Sequence, residues 1–161
     1  MVTKKYILLG FLAAGSAIFL SIPNGARAQD AMKKPPAIVG TWRVTFERPP
    51  GPPGNALVTF TSDGTSVRTT DRSPVMSASH GVWKQINDRE FQANWNAFQF
   101  DEKGAYVGNQ KASFVVRFAS DVDKFTGDAK GTNLSLDGEV TATIVGSFQG
   151  TRVPLEPYVG P

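Results

Sequence analysis

The chain has no cysteine and a single histidine, His80, in 161 residues. Without thiols there is no disulfide to staple the fold, no thiolate metal centre and no acceptor for an N-terminal lipid. One histidine without cysteine makes a poor zinc site, so no metal and no cofactor are expected. His80 is read as a residue at a loop-to-strand junction, bonded to local backbone. The same scarcity thins any hydrolase reading. Ser73, Ser77 and Ser79 surround His80, but no nucleophile elbow accompanies them. Asp101 and Glu102 sit at a turn with Gly104, where a solvated hairpin explains them better than a pair of catalytic carboxylates. No catalytic residue is assigned.

An excess of one charge is also missing once the first residues are set aside. Seventeen Lys and Arg face 14 Asp and Glu in the full chain. Lys4, Lys5 and Arg27 lie in the first 28 residues, which hold no acid, and removing them leaves 14 against 14. No basic stripe remains to grip nucleic acid, and Lys33 and Lys34 are too few for membrane adhesion. Long hydrophobic runs are limited to one, residues 6–20, and Ser21, Pro23, Asn24 and Arg27 interrupt it before the ~20 apolar residues of a membrane span are reached. Two lysines before that run and Ala26-Arg27-Ala28 after it make residues 1–28 a cleaved signal peptide. The expected product is a soluble, periplasmic or secreted monomer with no stable membrane insertion and no nucleic-acid partner.

What the rest contains is alternation. Residues 29–37 form a polar lead-in ending in a Pro pair, and 154–161 a Pro-rich tail. Between them, residues 38–153 divide at turn signals into eight short strands and no helix: 38–48, 56–62, 65–70, 80–86, 90–100, 105–118, 124–134 and 139–153. In the first, Trp42, Val44 and Phe46 alternate with polar residues, the period of two that separates a buried face from a wet one. Val58 and Phe60 bury the second, and Asp63-Gly64 is a two-residue hairpin signal. In the fifth, Phe91, Ala93, Trp95 and Ala97 share one face, while Phe98 and Phe100 fall on the other parity, implying a bulge or an outer aromatic surface. In the sixth, Tyr106, Gly108, Gln110, Ala112, Phe114, Val116 and Phe118 share a face. No connection holds the dozen residues of a parallel crossover. The expected fold is all-β: an eight-stranded antiparallel up-and-down β-barrel.

With the first and last strands paired, Trp42 and Arg152 meet at one rim, and an Arg stacked on a Trp would cover the floor. Gly40-x-Trp42 on the first strand with a basic residue on the last resembles the lipocalin-like, or calycin, barrels. More narrowly, Ser79-His80-Gly81-Val82-Trp83, the turn from Phe98 to Gly108, Phe125-Thr126-Gly127 and Gly150-Thr151-Arg152 resemble small exported bacterial lipocalin-like proteins. The resemblance spans about residues 38–153. It implies a fold and a structural Trp–Arg closure rather than a ligand, since the C-terminal helix and disulfide of secreted animal lipocalins are absent.

The two longest loops, residues 49–55 and 71–79, gather at the end opposite that closure, as a ligand-admitting mouth requires. The expected wall combines Phe46, Trp83, Trp95 and Tyr106 with the amides Gln99 and Gln110 and with small residues such as Ala97, Gly108, Gly127, Ala129, Gly131 and Ala142. Small residues leave room, although glycines can equally supply curvature around a filled core. Three functions remain open. The first is an interior site for a small apolar molecule, with Phe46, Trp83, Trp95, Tyr106 and Gln110 as its residues. The second is a cyclase or isomerase-type barrel enzyme using Tyr106, Gln110 or His80 to polarise an apolar substrate. The third is a filled barrel acting on a protein partner through Phe98 and Phe100.

Overall fold

The alternation resolves into eight antiparallel strands: β1 (Gly40–Phe46), β2 (Gly54–Phe60), β3 (Thr65–Thr70), β4 (Ser79–Asn87), β5 (Glu90–Phe100), β6 (Tyr106–Phe118), β7 (Lys124–Leu134) and β8 (Val140–Arg152). Each pairs with the next, and β8 pairs back on β1, so the sheet closes into an up-and-down barrel with no free edge. This computed structural model describes residues 35–47, 51–72, 74–158 and 160. The expected signal segment, residues 1–28, lies outside the described residues.

One end of the barrel is plugged. Trp42 and Arg152 are direct partners across the β1–β8 seam, and the Arg152 guanidinium carbon lies 4.2 Å from the Trp42 ring centre. Arg152 also donates to the carbonyls of Val39 (2.9 Å) and Ala37 (2.6 Å) and pairs with Asp123 at 2.6 Å. Trp42 Nε1 donates to the Ile38 carbonyl at 2.8 Å. Pro36 and Ala37, assigned from sequence to the loose lead-in, are thus tied into the floor, where Val39 N donates back to the Pro36 carbonyl. Gly40 serves this arrangement by necessity: its φ is +132°, and an added Cβ would lie 2.6 Å from Arg152 Nη1. Above the floor, Phe118 packs edge-on against Trp42, Phe91 and Phe125, and the Phe125 ring lies tilted against Trp42.

At the other end lie the long loops. The β3–β4 connection does not stand free there. Ser77 N donates to the Phe98 carbonyl, Phe100 N donates to Val75, and Met76 bridges Gln99. The loop thereby pairs with the tip of β5, beyond the point where β4 begins.

Two register details place the site. A two-residue Asp63-Gly64 turn would set Phe60 opposite Val67. The turn is one residue longer: Thr61 N donates to the Thr65 carbonyl around Ser62, Asp63 and Gly64, with Gly64 at φ +88°. Phe60 therefore faces Ser66, and Val58 faces Arg68. Cross-strand partners share a face, so Ser66, Arg68 and Thr70 point inward with Val58 and Phe60, and Val67 is left 40% exposed. The second detail is a bulge in β6. Gln99 pairs with Gly108 but Phe100 pairs with Tyr106, leaving Val107 as the extra residue. The bulge turns Tyr106 to the outer face.

Candidate functional site

Between the aromatic floor and the loops, the barrel is open rather than filled, and it encloses a cavity of about 140 Å³. Its walls are mostly apolar: Val44, Val58, Phe60, Ala112, Phe114 and Phe148 contribute from four strands. Of the residues expected to bind ligand, Phe46, Trp95 and Gln110 line this space. Trp95 is held from behind. Its Nε1 donates to Ser66 Oγ at 2.7 Å, and its ring centre is 4.0 Å from that of Phe114.

The structure places the other two elsewhere. Trp83 belongs to the closed end, where its Nε1 donates to the Thr61 carbonyl at 3.0 Å and its ring stands edge-on to Phe60 and Phe91. Its parity is inward as expected, but it sits two residues further along β4 than Gly81, which faces Trp95. Depth along the strand, rather than face, excludes it from the cavity. Tyr106 is excluded by the β6 bulge. It is 43% exposed and forms an outer aromatic group with Phe98 and Phe100, at ring distances of 5.8 and 6.3 Å. His80 is likewise exposed, on the outer side of β4 opposite Val67.

The small residues divide into two kinds. A Cβ on Gly127 would lie 2.3 Å from Phe148 Cζ, and one on Gly150 2.2 Å from Phe125 Cζ, so those glycines make room for phenylalanine rings. Gly131 and Gly146 instead line the cavity, with nothing closer than 3.6 Å to an added Cβ.

The residue that sequence reasoning missed is Arg68. It lines the cavity from β3, with its guanidinium carbon 4.9 Å from the Trp95 ring centre. Nε donates to Ser79 Oγ at 3.2 Å, and Nη2 donates to Ser79 Oγ (2.9 Å), Gln110 Oε1 (3.2 Å) and Met76 Sδ (3.5 Å). Gln110 in turn donates to Asn133 Oδ1 at 3.0 Å, so its amide is engaged at both ends. None of these partners is charged. Burial, and then the like charge of Arg72, push the Arg68 pKa down from its ordinary value to about 10. The signal for Arg68 was present as Ser66, Arg68 and Thr70 on one parity, but Val67 on the other looks like the buried side until the turn length is known.

Fold and site together define a closed β-barrel with a plugged floor and a mostly apolar interior cavity with the half-buried Arg68 in its wall. No protein-family model, curated protein or solved structure matches the chain.

Proposed function

We propose that this chain is an exported, lipocalin-like barrel that binds a small apolar molecule in its interior. The observation that carries the reading is the cavity itself: an apolar space about as large as the ~150 Å³ cavities that accept a benzene-sized guest, set between a solid floor and the loop end. Trp–Arg closure of the floor supports the lipocalin-like assignment. The alternation of a short charged segment, an apolar run and Ala26-Arg27-Ala28 supports export with cleavage after Ala28. The enzyme alternative has less support, because of Tyr106, Gln110 and His80 only Gln110 lines the cavity.

Native mass spectrometry of the protein purified from its own host tests this directly. The expected result is a chain of residues 29–161 carrying a small co-purifying molecule, and a Trp emission change when apolar probes are titrated into the emptied protein. Absence of binding below the millimolar range for every apolar probe overturns the reading and favours a partner docked on the outer group of Phe98, Phe100 and Tyr106, where Phe98 is 57% exposed.

A further inference from the structure

Resting on the carrier reading, we propose that the cavity selects an anionic amphiphile: a small apolar body bearing one carboxylate-type head, which accepts hydrogen bonds from Arg68. A guanidinium has five N–H donors and cannot accept. In Arg68, Nε and Nη2 are engaged, and Nη1 has no acceptor among the described residues. The side chain makes no ion pair among them either, although it lines a mostly apolar space. The charged residues that share the cavity wall are Arg72, of the same sign, and Glu47, which is exposed and forms no salt bridge with Arg68. A cation partly withdrawn from water and given only neutral partners is unfavourable unless an anion joins it.

The surroundings also hold the guanidinium in place before a ligand arrives. Trp95 supports one face, while Ser79 and Gln110 fix the Nε and Nη2 edge, with Asn133 orienting Gln110. This pre-organisation leaves Nη1 to donate to an anionic acceptor such as a carboxylate. Gln110, expected among the ligand-binding residues, becomes a positioning residue. The apolar walls take the body of the ligand, and their volume sets its size at roughly six to ten heavy atoms, on the scale of the ~150 Å³ benzene-binding cavities.

The test compares octanoate with 1-octanol at pH 7.5, by calorimetry and by Trp emission, on the mature protein. The alcohol has the same chain and no charge. Octanoate is expected to bind at least tenfold more tightly than 1-octanol, and Arg68→Gln and Arg68→Met to bring the two affinities together by weakening octanoate alone. Arg68→Lys is expected to retain part of the preference. Equal binding of acid and alcohol to the parent protein overturns the anion proposal and leaves the carrier reading standing. Failure of both, and of neutral terpenoid probes, overturns the carrier reading and the proposal with it. The acid-to-alcohol ratio of the parent protein decides the matter even if an Arg68 variant fails to fold.

Discussion

Arg68 is the residue at which stability and function pull in opposite directions. Its pKa of about 10, well below the ordinary arginine value, means that the folded barrel disfavours the charged form by on the order of 3 kcal/mol. Three acceptors offset part of that cost, so Arg68→Met is expected to raise the unfolding free energy of the ligand-free protein by about 1–3 kcal/mol, as replacement of buried charge by an apolar side chain often does. The sign of the pH dependence follows. Below pH 10 Arg68 is charged in both states and the penalty is fully present. Above about 10 the folded chain releases a proton that the unfolded one still holds, so stability rises with pH. The gain from Arg68→Met should therefore be largest below pH 10 and shrink above it, which urea unfolding of parent and variant at pH 7 and pH 11 will show.

Among the elements, β7 and β8 show how one residue type serves two purposes. Gly127 stands against the Phe148 ring and the Val115 carbonyl, each 2.3 Å from where a Cβ would sit, while a Cβ on Gly131 would meet only the Ile144 carbonyl, at 3.9 Å. Gly127→Ala forces backbone or ring to move and is expected to cost about 1–3 kcal/mol, the usual penalty of overpacking. Gly131→Ala should leave stability within about 1 kcal/mol of the parent, since losing a glycine restricts the unfolded chain. Only the second variant should weaken an apolar probe while melting like the parent, because its methyl group enters the cavity. Thermal unfolding beside a probe titration separates the two. The β2–β3 turn acts at the same scale: its third residue reverses which side of β3 faces in, and so admits Arg68.

For the whole molecule, the decisive feature is closure. β1 and β8 are joined by their ladder and by the plug that Trp42, Arg152 and the 36–39 turn build beneath it. Trp42 is fully buried, touching Phe118 and Phe125 as well as Arg152. Trp42→Ala is expected to lower stability by about 3–5 kcal/mol, as other large-to-small core changes do, and to show in the denaturation midpoint. The cavity lies toward the opposite end, so a folded Trp42→Ala barrel should keep its ligand preference. A variant that melts like the parent while losing ligand would reassign Trp42 from the floor to the site.

How far the sequence reached depends on whether the information was local. Alternation and turn residues are short-range signals, and they determined eight strands, the bounds of β3, β5 and β7, the antiparallel order and the meeting of Trp42 with Arg152. Phe46, Trp95 and Gln110 were legible for the same reason, since their strands alternate without interruption from the floor up to those positions. Tertiary structure alone decided the rest. A three-residue turn in place of two turned Arg68 inward, an extra residue at Val107 turned Tyr106 outward, and depth along β4 took Trp83 to the floor. Each outcome is set by pairing with a neighbouring strand, where a shift of one residue exchanges the two faces. The cavity is likewise a property of closure, being whatever volume eight inward faces leave unfilled, and no single strand encodes it.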